Sequence, residues 1–207
     1  MTPDKTEEKA ATPGRRERNK LEKRGRIVAA ARDLFERQGF ASTTTQQIAD
    51  AADIGTGTLF LYARTKEDLL VMVFQNEMLE TARQIFAVQP TGQEIVDRLM
   101  AVFNRMADYH ARDIDLARLL LRELVMSQTE ARRSDIDELM DAIHDGLSAI
   151  IQDGGRVANA PLVARSAFAL YYFALISWVG AGQDRGWCMR LLREQLANLI
   201  DGNRRHD

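Results

Sequence analysis

The stretch TTTQQIADAADIGTGTLFLYARTKEDLL, residues 43–70, starts like a helix and is then interrupted by small and polar residues. Its first residues fit a capping box, in which the Thr43 side chain caps the helix and the Gln46 side chain bonds back to the Thr43 backbone. Ile48 and Ala49 follow on one helical face. The pattern predicts a short, capped helix with a narrow apolar side.

A break at residues 53–55, Asp-Ile-Gly, separates this helix from the next one. Gly55 can cap the new helix, although less strongly than serine or threonine, and we expect that helix over residues 56–62. Two short helices joined by about four residues have the layout of a helix-turn-helix, here at about residues 44–63. In that motif the second helix enters the major groove of DNA.

The second helix carries residue types suited to close contact with DNA. Threonine can bond a phosphate or offer its methyl group to thymine, and glycine lets the backbone approach closely. Tyr62 can bond a phosphate through its hydroxyl, and Lys66 adds a cation at the start of the following helix. The residues predicted to contact DNA are Arg26, Thr43, Thr44, Gln46, Thr56, Gly57, Thr58, Phe60, Leu61, Tyr62 and Lys66.

From Ile27 to Leu70 the sequence resembles the TetR family of bacterial transcriptional regulators, through AARDLFERQGF at 30–40 and the stretch 43–70. The resemblance implies an all-α fold of about nine helices, with an N-terminal three-helix helix-turn-helix DNA-binding domain and a C-terminal helical ligand-binding and dimerisation domain. It also implies a homodimer that represses transcription from a palindromic double-stranded DNA operator. A small-molecule effector, whose identity the sequence does not give, would release it.

Three positions depart from the family pattern. Asp53 stands where glycine is usual at the turn, and aspartate tolerates the left-handed conformation better than most residues. Gly55 replaces a Ser or Thr cap, and Ala63 replaces a bulky aromatic residue. These departures keep open an alternative function, a helical dimer that binds a small molecule or a protein partner without sequence-specific DNA binding.

The remaining apolar residues recur at helical spacing, and no window alternates like a strand. We expect the first helix over residues 22–38, ended by Gly39, with Phe40 folding back onto Phe35. Ser134 is expected to cap a later helix. The expected domains are a disordered tail (1–20), the DNA-binding domain (21–67), and the ligand-binding and dimerisation domain (68–207).

Residues 166–183 carry no charge over 18 positions, close to the shortest length for a membrane span. A helix apolar on all sides in a soluble chain is instead buried on all sides, and we favour a buried or subunit-interface helix without membrane contact. Paired with the last helix, it predicts a four-helix dimer interface. The predicted interface residues are Tyr171, Leu175, Trp178, Trp187, Leu191 and Leu196.

An effector pocket is expected among the apolar faces of the C-terminal domain. A few polar side chains near those faces could orient a ligand. The predicted pocket residues are Phe103, Met106, Tyr109, His110, Arg122, Glu123, Met126, Ile143, Leu147, Phe168 and Tyr172.

Composition and motifs argue against an enzyme. The histidines are isolated from one another, and neither a zinc-protease, a nucleophile-elbow nor a phosphate-loop motif occurs. No cofactor or metal is expected. The single cysteine and an N-terminus without an apolar core are consistent with the cytoplasm. Residues 1–70 hold 13 Lys/Arg against 11 Asp/Glu, so the N-terminal third is the more basic part.

Overall fold

The structure is a computed structural model, and it describes four segments of the chain, residues 14–87, 94–126, 130–155 and 157–204. The side chains of 124–126 and 130–135 lie outside the described part. The described residues form nine α-helices, which confirms the all-α prediction. They are α1 (Arg15–Gln38), α2 (Thr45–Ala51), α3 (Thr56–Leu59), α4 (Lys66–Ala87), α5 (Ile95–Ala111), α6 (Ile114–Met126), α7 (Glu130–Asp153), α8 (Ala160–Leu175) and α9 (Arg185–Gly202).

The chain divides into two compact units, Met1–Lys66 and Glu67–Asp207. In the first, α1 packs on α2 and α2 on α3 around side chains that are fully buried. These are Ile27, Ala31, Ile48, Ala49 and Leu59. In the second, α8 packs against α7 and α9, and α5 packs against α6, α7 and α9. Arg98, 3% exposed, joins α5 to α7 by donating to the Asp153 carboxylate at 2.8 Å.

The first helix is longer than predicted, because it begins at Arg15 and not near residue 22. Its first turns are rich in Arg, Glu and Lys, which are good helix formers, and Gly14 occupies the N-cap position. The predicted disordered tail is therefore wrong over residues 15–20, while residues 1–13 lie outside the described part.

The end of α1 agrees with the prediction. Gly39 has φ +80°, and its N–H donates to the Phe35 carbonyl at 3.0 Å. The rings of Phe35 and Phe40 lie 5.3 Å apart, so the chain folds back as expected. The prediction that Ser134 caps a helix is wrong, because α7 begins at Glu130 and includes Ser134.

One helix in the described part, Ala160–Gly180, is long and apolar enough to cross a membrane by length and composition, and 39% of its most apolar stretch is buried. It comprises α8 and a π-helical segment, Ile176–Gly180. The helix is not buried on all sides within one chain. Val163 and Ala167 lie in the core, whereas Leu162 and Phe173 are 59% and 62% exposed.

Three predicted interface residues do not reach the surface. Tyr171, Leu175 and Leu196 are 2%, 4% and 0% exposed, because they face the core between α8, α9 and the other helices of their own unit. Trp187 is 48% exposed, while Trp178 and Leu191 are half-buried. Phe173, Trp187 and Leu191 line one groove on this side of α8 and α9.

Two helical glycines provide a test of the packing. A Cβ atom on Gly146 of α7 would lie 2.5 Å from three ring carbons of Phe86, whereas a Cβ on Gly25 of α1 meets nothing within 4 Å. We expect Gly146→Ala to destabilise the protein by about 1–3 kcal/mol through overpacking. Gly25→Ala should stabilise it by about 0.5–1 kcal/mol, because alanine is the better helix former. Urea unfolding of both variants checks this, and a stabilising Gly146→Ala would contradict the close packing of Phe86.

Candidate nucleic-acid interface and ligand cavity

The capping box of α2 lies one residue later than predicted. Thr44 is the N-cap, its hydroxyl accepts from the Gln47 N–H at 3.2 Å, and the Thr44 N–H donates to the Gln47 side chain at 2.9 Å. Thr43 is 1% exposed, and its hydroxyl donates to the Gly39 carbonyl at 2.8 Å. The prediction that Thr43 caps α2 and contacts DNA is therefore wrong, because its side chain is used inside the fold.

The turn between α2 and α3 depends on Asp53. This residue has φ +52°, the left-handed conformation that aspartate was expected to tolerate here. The next N–H, of Ile54, donates to the Ala49 carbonyl at 3.0 Å and closes the turn. The Asp53 carboxylate is exposed and lies 3.6 Å from the Arg26 guanidinium of α1. Arg26 therefore offsets the negative charge that Asp53 adds beside the second helix.

The second helix is shorter than predicted. α3 ends at Leu59 because the following N–H groups of Leu61 and Tyr62 bond three residues back, to Thr58 and Leu59, in a tighter turn. Gly55 precedes α3 without a side-chain capping bond, as expected for this departure. The exposed apolar side chains of this segment lie in the tight turn, where Phe60 is 46% and Leu61 84% exposed.

Gln46 links the two helices of the motif. Its amide donates to the Asp50 carboxylate at 2.8 Å, and its carbonyl accepts from the Thr56 hydroxyl at 2.7 Å. Gly57 is exposed, and its Cα faces open space. Gln46, Thr56 and Gly57 therefore belong to one surface, which carries hydrogen-bonding groups and leaves room for a close approach.

Lys66 is engaged within the first unit. Its ammonium donates to the carbonyls of Phe40 at 2.7 Å and Ala41 at 3.2 Å, and lies 4.3 Å from the centre of the Phe40 ring. The ammonium holds the connection between α1 and α2 and has one further N–H to offer.

Ala63 is 4% exposed, so this departure from the family pattern alters packing and not a surface contact.

A cavity of about 220 Å³ lies within the second unit. It is lined by residues from α4 to α8, nearly all of them apolar or aromatic. The lining residues are Phe74, Met78, Met106, His110, Leu121, Ile136, Leu139, Met140, Ile143, Phe168, Tyr171, Tyr172 and Leu175.

Two buried polar groups of the cavity lack a hydrogen-bond partner within the described part of the chain, the Nδ1 atom of His110 and the hydroxyl of Tyr171. Burial lowers the pKa of His110 to about 4 and raises the pKa of the Tyr171 hydroxyl, because both charged forms lose hydration. Both groups are neutral at pH 7. The cavity therefore offers an uncharged, apolar interior with two hydrogen-bonding atoms to a guest molecule.

The structure brings five predicted pocket residues to this cavity, Met106, His110, Ile143, Phe168 and Tyr172. Five others do not line it. Phe103 stacks on Tyr171 with ring centres 4.7 Å apart, and Leu147 is fully buried. The Tyr109 hydroxyl donates to Glu77, while Arg122 pairs with Glu123. The side chain of Met126 lies outside the described part.

Sequence reasoning missed the contribution of α4 to the cavity, Phe74 and Met78. Their spacing of four residues places both on one helical face, which is the signal that could have found them. Tyr171 and Leu175, predicted at the dimer interface, also line the cavity.

The first unit has two short helices in a capped pair, a tight turn and an exposed second helix, which define a helix-turn-helix DNA-binding protein. Residues 27–73 match the family model described as bacterial regulatory proteins, tetR family. This match assigns the first unit of the chain to the TetR family of transcriptional regulators.

Similar proteins extend the match beyond the first unit. The fatty acid metabolism regulator protein of Bacillus subtilis is 28% identical over 131 residues, 62% of this chain and 66% of that protein, just under two thirds of its length. An HTH-type transcriptional repressor of Mycobacterium tuberculosis is 28% identical over 177 residues, 84% of this chain and 87% of that protein. The crystal structure of the repressor FadR of Thermus thermophilus with lauroyl-CoA is 26% identical, with TM-score 0.66, and the match covers 89% of this chain and 96% of FadR.

The buried His110 makes stability depend on pH. The unfolded imidazole takes up a proton near pH 6.5, whereas the folded one does so only near pH 4. As pH falls from 7 to 4 the unfolded state binds more protons, so the free energy of unfolding should fall by about 3 kcal/mol from this group. Urea unfolding at both pH values checks this, with His110→Gln as the comparison. If the variant loses as much stability as the parent, His110 is not the group responsible.

Proposed function

We propose that this protein is a homodimeric, ligand-responsive repressor that binds a palindromic operator in the cytoplasm and is released from it by a small apolar effector. The observation that carries DNA binding is the exposed surface around α3, with Gln46 and Thr56 bonded across the motif and Leu61 84% exposed. Hydroxyls and amides suit base edges and phosphates, and exposed apolar side chains suit thymine methyl groups. The proposed contacts are Arg26, Thr44, Gln46, Thr56, Gly57, Thr58, Phe60, Leu61, Tyr62 and Lys66.

Dimerisation is proposed through the exposed side of α8 and α9. Leu162, Phe173, Ile176 and Trp187 are 37–62% exposed, an unusual number of large apolar side chains for one surface. Two copies of the motif can read the two halves of a palindrome, one helical turn apart, which a single motif cannot do.

The effector is proposed to bind the cavity of the second unit, with its polar group near His110 and Tyr171. The apolar lining fits a hydrocarbon chain, and long-chain acyl-CoA is the first class to test. Support comes from the B. subtilis relative, named a fatty acid metabolism regulator, and from T. thermophilus FadR, which was crystallised with lauroyl-CoA.

Release is proposed to act through α4. This helix begins at Lys66, which is bonded to Phe40 and Ala41, and it carries Phe74 and Met78 of the cavity wall. A ligand that prefers one position of α4 increases the population of that position. By linkage, the ligand then changes the free energy of operator binding by the same amount as the operator changes the free energy of ligand binding.

DNA binding is tested by gel shift on the DNA upstream of the protein's own coding sequence, over a range of salt concentrations. Tyr62→Phe, which removes only the hydroxyl, should weaken binding by about 1 kcal/mol. Lys66→Ala should lower the salt slope by about one, and it should also lower stability because two bonds to the α1–α2 connection are lost. A parent chain that binds this DNA no better than unrelated DNA would favour the alternative, a helical dimer without sequence-specific DNA binding.

Effector binding is tested by adding lauroyl-CoA to the protein–operator complex, with free coenzyme A as the control for the headgroup. We expect release by lauroyl-CoA alone. Met140→Trp should block the cavity and abolish release while operator binding persists, whereas Asn104→Trp, at an exposed position of α5 outside the cavity, should respond like the parent. Lauroyl-CoA that binds the protein but leaves operator affinity unchanged would refute the coupling.

A further inference from the structure

The part of the first unit from the first buried residue of α1 onward carries no net charge. Residues 27–66 contain four Lys/Arg and four Asp/Glu, and residues 67–207 contain 15 Lys/Arg against 21 Asp/Glu. DNA is a polyanion, and the affinity of proteins for it depends strongly on cations that replace its counterions. Neither this neutral segment nor the acidic second unit supplies an excess of cations.

The cationic excess of the chain lies in the first three turns of α1. Residues 15–26 hold seven Lys/Arg and two Glu, a net charge of +5. The first buried residue of α1 is Ile27, so this segment extends α1 beyond the core of the first unit. At 1.5 Å per residue the extension reaches about 18 Å from that core.

Three of these cations form a stripe on one side of the helix. Arg16, Lys20 and Lys23 precede the buried Ile27 at spacings of four, three and four residues, so all four share one face. Ile27 points into the core that α1 forms with α2, and the stripe therefore lies on the side of α1 that faces the helix-turn-helix. The three side chains are exposed, and none forms an ion pair with another described residue.

We propose that the stripe Arg16–Lys20–Lys23 is a second DNA-contacting element, which binds backbone phosphates next to the base pairs that α3 contacts. This inference rests on the proposed operator binding. The side chains span about 10 Å along the helix, enough for two or three successive phosphates. Phosphate contacts of this kind add affinity and fix orientation without reading sequence.

The chain supplies a matched control for this proposal. In the same three turns Arg18 lies on the opposite side of α1, and Arg15 lies next to it on the flank, roughly a quarter turn or more from each residue of the stripe. The variants Lys20→Ala/Lys23→Ala and Arg15→Ala/Arg18→Ala each remove two positive charges from the extension. Alanine keeps the helix in both, and circular dichroism verifies that helix content is unchanged.

The experiment measures operator affinity against salt concentration, on a duplex that extends about one helical turn beyond the protected sequence on each side. Lys20→Ala/Lys23→Ala should lower the salt slope by about two, so that its deficit relative to the parent shrinks about tenfold between 50 and 200 mM salt. Arg15→Ala/Arg18→Ala should keep most of the slope, and Lys20→Arg/Lys23→Arg should restore it.

An equal decrease of the salt slope in the two double alanine variants would overturn the proposal, because it would indicate a general effect of net charge and not a contact with phosphates. An unchanged slope for Lys20→Ala/Lys23→Ala would overturn it too, while leaving the proposed operator binding intact. A parent chain that fails to bind any upstream DNA would refute the proposed function and this inference together.

Discussion

The ammonium group of Lys66 is the interaction on which the arrangement of the first unit depends. It donates to two successive carbonyls, of Phe40 and Ala41, and lies over the Phe40 ring, which itself packs on Phe35. Charge-assisted hydrogen bonds of this kind are stronger than neutral ones. The connection between α1 and α2 is thereby bonded to the first residue of α4. A displacement of that residue would act on the bonded carbonyls, which is why we assign the proposed release of DNA to α4.

The turn between α2 and α3 was predictable from the sequence, but the choice of Thr43 or Thr44 as the N-cap of α2 was not. In Thr43-Thr44-Thr45-Gln46-Gln47, two threonines are each followed three residues later by glutamine, so both satisfy the capping-box pattern. What decides between them is tertiary, because burial of Thr43 against Gly39 leaves Thr44 at the helix start. The left-handed conformation of Asp53 was predictable, since it depends on the residue's own backbone preference.

The second unit shows why a pocket is harder to predict than a helix. Residues Leu69 to Phe74 of α4 are six successive apolar side chains, and all are buried. Such a run has no polar side to indicate which residues face a cavity, and only the four-residue spacing from Phe74 to Met78 relates Phe74 to a particular face. The same holds for the uncharged part of α8 from residue 166 onward, where Tyr171 lies in the core and Phe173, two residues later, is exposed. Partition between core, cavity and surface is fixed by neighbouring helices, which sequence spacing does not identify.

In this chain the excess of positive charge and the surface proposed to contact base edges lie on different helices. The surface around α3 is built from hydroxyls, an amide and apolar side chains, while the cationic excess lies on the extension of α1 and the second unit carries a net −6 from 15 Lys/Arg and 21 Asp/Glu. An acidic second unit is repelled by DNA and a cationic α1 is attracted to it, so long-range forces favour approach by the first unit. Because a neutral reading surface gains little from phosphates alone, its contribution to binding depends on short-range fit to base edges. Such a division keeps the sequence-independent part of the affinity from dominating the sequence-dependent part.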